Sequence, residues 1–298
     1  MKKYLKLFLA PAIIVVTLAV FGRFVATHPK LVVTLRHTNP WLAVGVIGVY
    51  IVGFLVLAAL QNISLEMVEK PVEKTENVLL TAYSTLVNFF GPGQSGPGFR
   101  AIYLKKRHGV NFKDFIFVTL IYYGFYAVIS ATMLAIGSRP WWQTVLGVLA
   151  SGGASLGVIK LYRRKSKTKH MAGINPKTLA KLFAATTLQL AVQATVYFLE
   201  LRSVDPHISI SQVVTYAGAA NFSLFAALTP GAIGIREAFL VFSQRLHHIS
   251  NADIVAANVL DRAIYLVFLG LLFALIIVTH AKKQLRVKQI IKEGASEQ

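Results

Sequence analysis

The stretch NFFGPGQSGPGFR, at residues 88–100, interrupts an apolar segment with glycine and proline, and NFSLFAALTPGAIGIRE does the same at residues 221–237. Proline and glycine break helices, and the backbone groups they free are tolerated at membrane depth only where protein or a wet cavity surrounds them. Two such breaks at corresponding positions of two halves indicate the binding site of a transporter. The pair therefore predicts a membrane protein with a central site.

The composition is that of a polytopic membrane protein. Of the 298 residues, 55% are hydrophobic and 14% are charged, whereas soluble proteins carry about 25% charged residues. The net charge of +19 fits cytoplasmic loops that lie against anionic headgroups, so nucleic acid is not an expected partner. Cysteine is absent, which excludes disulfides and thiolate metal sites.

Six apolar segments are long enough to cross a bilayer at about twenty residues each. We predict these spans at residues 5–26, 41–60, 115–136, 141–161, 179–199 and 254–279. Two further apolar segments, at residues 78–104 and 209–246, contain the breaks. The first span begins like a secretory signal, but no cleavage motif follows it, and we interpret it as uncleaved.

Basic residues indicate the orientation of the spans. Most of the 31 Lys and Arg residues face the cytoplasm if the six spans alternate and each broken segment returns to the side from which it enters. The predicted fold is therefore an all-α integral membrane protein with six transmembrane helices and two re-entrant broken helical hairpins in an inverted-topology repeat. The alternative, in which both broken segments cross, places residues 163–169 outside.

This topology implies one membrane domain at residues 1–281, with pseudo-repeats at about 1–137 and 138–281, and a basic cytoplasmic tail at 282–298. Both termini are expected in the cytoplasm, and the protein in the cell membrane (plasma or inner). The acidic loop at residues 61–77 is expected to be either a short amphipathic helix on the inner face or a solvated connector.

Four ionisable residues lie in apolar surroundings, where a charge costs a few kcal/mol: Arg236, Glu237, Asp261 and Arg262. They form either a structural ion-pair cluster or a binding site, and Arg236 is expected to pair with Asp261 and Arg262 with Glu237. The planar guanidinium group matches phosphate, which favours binding for the two arginines.

Both breaks are suited to anions. The half-helices that begin near residues 99 and 235 direct free N–H groups and a positive dipole end at the breaks, and Arg100 and Arg236 lie beside them. We therefore expect an anionic headgroup such as a phosphate. The break residues assigned to this site are Pro92, Gly93, Gly96, Pro230, Gly231 and Gly234.

Several uncharged polar residues accompany the breaks. Asn88 and Asn221 either bind the cargo or satisfy freed backbone groups. Gln189 and Gln193, one turn apart in the fifth span, either line a polar groove or hold helices together. We find no Ser-His-Asp set, nucleotide loop or metal motif, and expect neither catalysis nor a cofactor.

The run TPGAIGIREA at residues 229–238 resembles the signature of the lysylphosphatidylglycerol synthase transmembrane region, also called the flippase-like family. The first break, with Asn88, Pro92, Gly96 and Arg100, and the later Arg262 are similar to further motifs of that family. The resemblance covers about residues 5–280. It implies a lipid-handling membrane protein whose bifunctional relatives move an aminoacylated phospholipid between leaflets, while a separate soluble domain makes that lipid. No such domain is expected in the short polar tail.

The leading hypothesis is a translocator of an anionic phospholipid or lipid-phosphate headgroup, with Arg100, Arg236 and Arg262 on the phosphate. Its partners would be anionic membrane lipids, with a second copy of the chain or a separate synthase or glycosyltransferase as further candidates. One alternative is an accessory protein or enzyme of polyprenyl-linked glycan or glycolipid assembly, for which Asp114 and Asp205 are the available acids. Another is a membrane scaffold that recruits a partner through residues 163–169.

Overall fold

The structure is a computed structural model that describes residues 38–91, 95–137, 139–165, 175–226 and 235–296, with residues 23, 26, 27 and 33. These residues contain helices and no strand, which confirms the prediction of an all-α protein. The predicted span at residues 5–26 lies almost wholly outside the described residues, as do the breaks at residues 92–94 and 227–234.

The order of elements follows the predicted alternation of long helices and broken segments. From residue 38 onward, the described helices are α1 (Pro40–Met67), α2 (Lys74–Phe90), α3 (Ser95–His108), α4 (Phe112–Ile136), α5 (Trp141–Lys165), α6 (Pro176–Val204), α7 (Ile210–Ser223), α8 (Ile235–Phe242), α9 (Gln244–His247) and α10 (Asn251–Ser296). A 3₁₀ turn, η1 (Leu224–Ala226), follows α7.

Four helices in the described part of the chain are long and apolar enough to cross a membrane: α1, α4, α6 and residues 251–279 of α10. They contain four of the six predicted spans. The predicted span at residues 141–161 lies in α5, a 25-residue helix that is not one of these four. Helix α10 continues to Ser296, so the predicted basic tail is helical for most of its length.

Helices α1 and α6 begin with the same local signal. The Asn39 side chain accepts a hydrogen bond from the backbone of Trp41 at 2.9 Å, and Asn175 accepts one from Thr178 at 2.8 Å. A proline occupies the first turn in both cases, where its missing N–H costs nothing. An Asn-Pro pair thus fixes the start of both helices.

Of the two expectations for residues 61–77, the separate amphipathic helix is wrong, and a connector with exposed residues is present only at residues 68–73. Residues 61–67 extend α1, and α2 already begins at Lys74. The Asn77 side chain donates a hydrogen bond to the carbonyl of Ala58 at 2.8 Å, which ties the end of α1 to the start of α2. Only six residues connect the two helices, so no room is left for an independent element.

The helices pack in pairs that repeat between the two halves. In the first half α1 packs on α2, and α2 on α3; in the second, α6 packs on α7, and α7 on α8. Across the halves α4 packs on α7 while α10 packs on α2, and α1 lies along α6. The first arm of each broken segment thus contacts the last long helix of the other half.

The contact between α4 and α7 is unusually close because Gly218 presents no side chain. A Cβ atom at this position would lie 2.4 Å from the backbone nitrogen of Leu134 and 2.8 Å from the carbonyl of Ser130. Small residues at helix interfaces let backbones approach in this way. Gly218 therefore fixes the distance between α7 and the long helix α4.

The two arms of the first broken segment are held together at Gly96. Its backbone N–H donates to the side-chain oxygen of Asn88 at 3.2 Å, and the Ser95 hydroxyl donates to the carbonyl of Val87 at 2.8 Å. A Cβ on Gly96 would lie 2.6 Å from the carbonyl of Ser84. The prediction that Asn88 satisfies a freed backbone group is confirmed, although the same side chain also faces the cavity described below.

A group of polar side chains centred on Glu76 holds the start of α2 against the end of α3. Glu76 Oε1 accepts hydrogen bonds from Arg107 Nε and from the His108 ring, both at 2.9 Å, and from the Tyr103 hydroxyl. Burial opposes the charged form of Glu76, but these hydrogen bonds outweigh it and lower its pKa below the usual value. Burial and the neighbouring Glu76 together raise the pKa of Tyr103 to about 12.

We expect this cluster to stabilise the protein in a pH-dependent way. A carboxylate whose pKa is lowered on folding stabilises the folded state above its unfolded pKa of about 4.5, and this stabilisation disappears as the pH falls through the folded value. Glu76→Gln should therefore lower the melting temperature more at about pH 7 than at about pH 3.5. Thermal unfolding of the detergent-solubilised protein measures both values, and an equal loss at both pH values would contradict the assignment.

Candidate functional site

A polar cavity of about 300 Å³ lies where both broken segments meet the four long apolar helices. Three of its charged residues are basic and one is acidic. Its aromatic wall consists mainly of tyrosines from α1, α4, α6 and α10. The polar and charged lining comprises Arg100, Arg236, Arg262, Asp261, Asn88, Ser84, Thr85, Gln189, Gln193, Tyr50, Tyr122, Tyr123, Tyr126, Tyr197 and Tyr265.

Arg100 enters this cavity from α3. Its Nη1 donates a hydrogen bond to Oε1 of Gln61 at 2.8 Å, whereas its Nε is buried without a hydrogen-bond partner. Within the described residues Arg100 forms no ion pair, and Tyr122 and Tyr123 lie beside it. Arg100 is partly buried with an unpartnered Nε and no carboxylate, so this position favours an anion supplied from outside.

Arg236 enters the same cavity from α8. Its Nη1 donates to Oδ2 of Asp261 at 2.7 Å, and both side chains are only 11% exposed. The expected pairing of these two residues is therefore present. The guanidinium carbon lies 5.1 Å from the centroid of the Tyr197 ring, which adds a cation–π contact. Nε and Nη2 of Arg236 are buried without a hydrogen-bond partner.

The unpartnered N–H groups of Arg100 and Arg236 determine what the cavity can bind. Buried donors are almost always hydrogen-bonded, and leaving one unsatisfied costs about 1–3 kcal/mol. Guanidinium groups bind carboxylate and phosphate oxygens through parallel N–H donors. Both arginines thus line the cavity with donors that suit an anionic ligand.

Arg262, on α10, lines the cavity and is 9% exposed. Glu237 lies in α8, next to Arg236, but its side chain is outside the described part, so its pairing with Arg262 stays a prediction. Asp261 and Arg262 are adjacent in sequence, and both line the cavity together with Tyr265. Helix α10 therefore supplies one negative and one positive side chain to the cavity.

The remaining predicted residues differ in their positions. Asn88 lines the cavity, while Asn221 is fully buried behind it and accepts a hydrogen bond from the Tyr126 hydroxyl at 3.1 Å. Gly96 lies in the first turn of α3, at the contact with α2 described above. The other break residues lie outside the described residues: Pro92, Gly93, Pro230, Gly231 and Gly234.

Two glutamines connect α6 to the tyrosines of α4. The Tyr122 hydroxyl donates to Oε1 of Gln189 at 2.9 Å, and the Tyr126 hydroxyl, which shares its one proton with Asn221, lies 3.2 Å from Oε1 of Gln193. Both glutamines also line the cavity. The sequence left open whether these glutamines line a polar groove or hold helices together. In the structure they do both, because they bind the tyrosines of α4 and line the cavity.

Glu200 is a residue that sequence reasoning missed. It lies near the end of α6, is 1% exposed, and is reached by the Tyr50 hydroxyl at 3.4 Å from its Oε1. The predicted span covers residues 179–199 and therefore leaves Glu200 just outside the membrane. The available signal was the polar face of α6, where Gln189, Gln193 and Glu200 follow helical spacing.

The two arginines occupy corresponding positions in the halves of the chain. The sequence separation from Pro40 to Pro176, which begin α1 and α6, equals that from Arg100 to Arg236. Arg100 binds Gln61 of α1, and Arg236 stacks on a residue of α6. The cavity is thus built from matching parts of both halves.

Comparison with known proteins agrees with these features. A search of curated proteins gave no match. The family described as the lysylphosphatidylglycerol synthase TM region matches residues 7–272, which include every residue of the cavity. The chain therefore belongs to the lysylphosphatidylglycerol synthase transmembrane family and is a multi-pass integral membrane protein.

Proposed function

We propose that this protein is a lipid translocator that binds an anionic phospholipid or lipid-phosphate headgroup in the cavity between its two broken segments. The observation that carries the proposal is the convergence of Arg100, Arg236 and Arg262, two of them with unpartnered buried N–H donors. A cavity with three arginines and one lining carboxylate favours an anion. Membership in a lipid-related family supports the same class of ligand.

We propose further that the two broken segments are re-entrant hairpins. Helices α2 and α3 contain 17 and 14 residues, and α8 contains 8. At about 1.5 Å per residue, each is shorter than the bilayer core of about 30 Å. The two arms of the first segment, α2 and α3, pack on each other. A hairpin that enters the membrane and returns to the same side accounts for this packing and for the short arms better than a segment that crosses the bilayer.

The paired packing supports an inverted-topology repeat of six spans. The distribution of basic residues in the sequence supports the proposal that both termini lie in the cytoplasm of a cell-membrane protein. Each contact within the first half has a counterpart in the second, and the first arm of each hairpin lies on the last helix of the other half. In such repeats one half rocks against the other around a fixed central site. This motion would expose the headgroup to each leaflet in turn.

The apolar part of the cavity wall is suited to the start of the acyl chains. Leu57, Phe89, Leu224 and Phe225 line the cavity beside the arginines, and Phe225 is 42% exposed. A lipid could hold its phosphate on the guanidinium groups while its tails leave past this side into the bilayer. No chemical step is required, and we propose a transporter without catalytic activity.

Leaflet exchange of fluorescent lipids tests this function. The protein is reconstituted in phosphatidylcholine vesicles that contain a trace of phosphatidylglycerol labelled on its headgroup or chain, and an impermeant reductant reports the outer-leaflet fraction. We expect faster exchange than in protein-free vesicles. Arg100→Gln should slow exchange at least about tenfold, because it removes a charge-assisted contact of about 1.5–3 kcal/mol.

Arg202→Gln is the matched control for Arg100→Gln. Arg202 is exposed near the end of α6, lies over the ring of Phe198 at 5.8 Å, and does not line the cavity. It should leave exchange unchanged. Equal rates for wild type and Arg100→Gln, with both above the protein-free rate, would reject phosphate binding by this arginine.

The two alternative functions have less support. Neither Asp114 nor Asp205 lines the cavity, so an enzyme of polyprenyl-linked glycan assembly would need a second site for its acid. The scaffold hypothesis rests on residues 163–169, whose side chains lie outside the described part. A second copy of the chain and a separate synthase or glycosyltransferase stay predictions as partners.

A further inference from the structure

Glu200 is a buried carboxyl group that anion binding does not use. It is 1% exposed, and in the described part of the chain no basic side chain forms an ion pair with it. Its hydrogen-bonding neighbour from α1 is the Tyr50 hydroxyl. A charged carboxylate in this position would lack a compensating partner, and burial without one is costly.

A second carboxyl group lies next to it. The Tyr50 hydroxyl that lies 3.4 Å from Oε1 of Glu200 also hydrogen-bonds Oδ1 of Asp261, so the two carboxyl groups share one hydroxyl. An ionised carboxylate can only accept hydrogen bonds, and the single proton of the Tyr50 hydroxyl can serve only one of the two groups at a time. Two carboxylates that share a site therefore favour holding one proton between them.

The other groups around this pair come from five helices. Arg236 binds Oδ2 of Asp261 at 2.7 Å, whereas the Tyr50 hydroxyl binds Oδ1. The remaining neighbours are tyrosines, which stay neutral, and one further arginine. The titratable and charged groups that face the pair are Tyr50 from α1, Tyr197 from α6, Tyr216 from α7, Arg236 from α8, and Arg262 and Tyr265 from α10.

We propose that Glu200 and Asp261 form a proton-binding site whose occupancy is coupled to the anion bound at Arg236. The coupling rests on the proposed function, because it needs an anionic ligand in the cavity. A phosphate on the free Nε and Nη2 of Arg236 adds negative charge beside the carboxyl pair. If the phosphate displaces Asp261 from Arg236, the pair loses its positive neighbour, and both effects strengthen proton binding in the same direction.

Linkage gives this coupling a definite sign. If the anion favours the protonated pair, the proton favours anion binding by the same factor. Anionic lipid should therefore bind more tightly as the pH falls, by up to about tenfold per pH unit for one linked proton. Each anionic headgroup that enters the cavity would then carry up to one proton with it.

A proton fits this site better than a metal cation does. Multivalent cations are held by several oxygen ligands, and the described residues contain no group of three or more acidic or histidine side chains. One oxygen of Asp261 is already bound to Arg236. The site thus offers a carboxyl pair and a hydroxyl, which suffice for a proton.

Infrared difference spectroscopy tests the proton site without lipid transport. Spectra of the wild-type protein in zwitterionic nanodiscs, recorded between about pH 8 and pH 5, should show the carbonyl band of a buried protonated carboxyl group that persists to the higher pH. Glu200→Gln should remove this band. Glu69→Gln, which changes an exposed carboxylate in the turn between α1 and α2, should retain it.

Proton uptake tests the coupling. Short-chain phosphatidylglycerol is added to the wild-type protein in weakly buffered detergent, at a pH above the one at which the carboxyl band of the lipid-free protein disappears. Uptake approaching one proton per bound lipid is expected, with none for phosphatidylcholine. In the vesicle assay of leaflet exchange, a pH gradient across the membrane should drive exchange of the anionic lipid. A sodium gradient in its place should not. Absence of the carboxyl band in the wild type, or lipid binding without proton uptake, would overturn the proposal while leaving the translocator function intact. If the infrared spectra show the carboxyl band but the vesicle assay shows no lipid exchange, the proton site stands and the translocator function is rejected.

Discussion

Replacing Arg236 by glutamine is expected to reduce leaflet exchange of an anionic lipid by about 100-fold, the equivalent of about 3 kcal/mol. The variant removes the two unpartnered donors that we assign to the phosphate. It also leaves Asp261 buried without its partner at 2.7 Å. Removing one member of a buried ion pair destabilises a protein by about 3–5 kcal/mol, so the folded fraction must be measured beside the rate.

The double variant Arg236→Gln/Asp261→Asn separates stability from function. It replaces the buried ion pair by two neutral amides that can hydrogen-bond each other, so thermal stability should recover most of the loss. Leaflet exchange should not recover, because the positive charge is still missing. Recovery of exchange together with stability would show that Arg236 has only a structural role.

Gly218→Ala is expected to destabilise the protein by about 3 kcal/mol, the upper end for overpacking a close contact. The added Cβ would meet the backbone of α4, at Leu134 and Ser130, and a backbone cannot move aside as a flexible side chain can. Intrinsic helix propensity acts in the opposite direction, since alanine is favoured over glycine by about 1 kcal/mol. A measured loss of stability would therefore show that the steric contact outweighs the helix propensity, and a gain would show the reverse.

Gly153→Ala is the matched control for this substitution. Gly153 lies in α5, and no atom lies within 4 Å of the place that an added Cβ would occupy, so the same change should be neutral or stabilise the protein by up to about 1 kcal/mol. Thermal unfolding in detergent compares the two variants directly. Equal melting temperatures for Gly218→Ala and wild type would contradict the close packing of α4 on α7.

Much of the architecture could be predicted because the membrane imposes simple rules on a sequence. Length and apolarity identified the long helices, and the breaks at residues 91–94 and 227–234 separated the shorter ones. The rare charges predicted which residues to examine for a site, because an ionisable residue in an apolar sequence is costly and is a functional candidate by default. Arg100, Arg236 and Asp261 do meet in one cavity.

What the sequence could not predict depends on packing between distant helices. Tyrosines are common in membrane proteins, and nothing local indicates that Tyr50 and Tyr126 face the same cavity. Glu200 escaped notice because α6 runs five residues past the predicted span, which brings its carboxyl group inside. The wrong assignment of residues 61–77 has a similar cause, since their acidic periodicity belongs to the ends of two helices.

The most direct test of an anionic headgroup between the two halves is a cryo-EM map of the protein in nanodiscs made with phosphatidylglycerol, with a bound antibody fragment as fiducial. We predict density for a lipid phosphate between the guanidinium groups of Arg100 and Arg236, with acyl-chain density leaving past Phe225. A well-resolved cavity that holds no lipid, with both arginines satisfied by protein groups alone, would contradict this account.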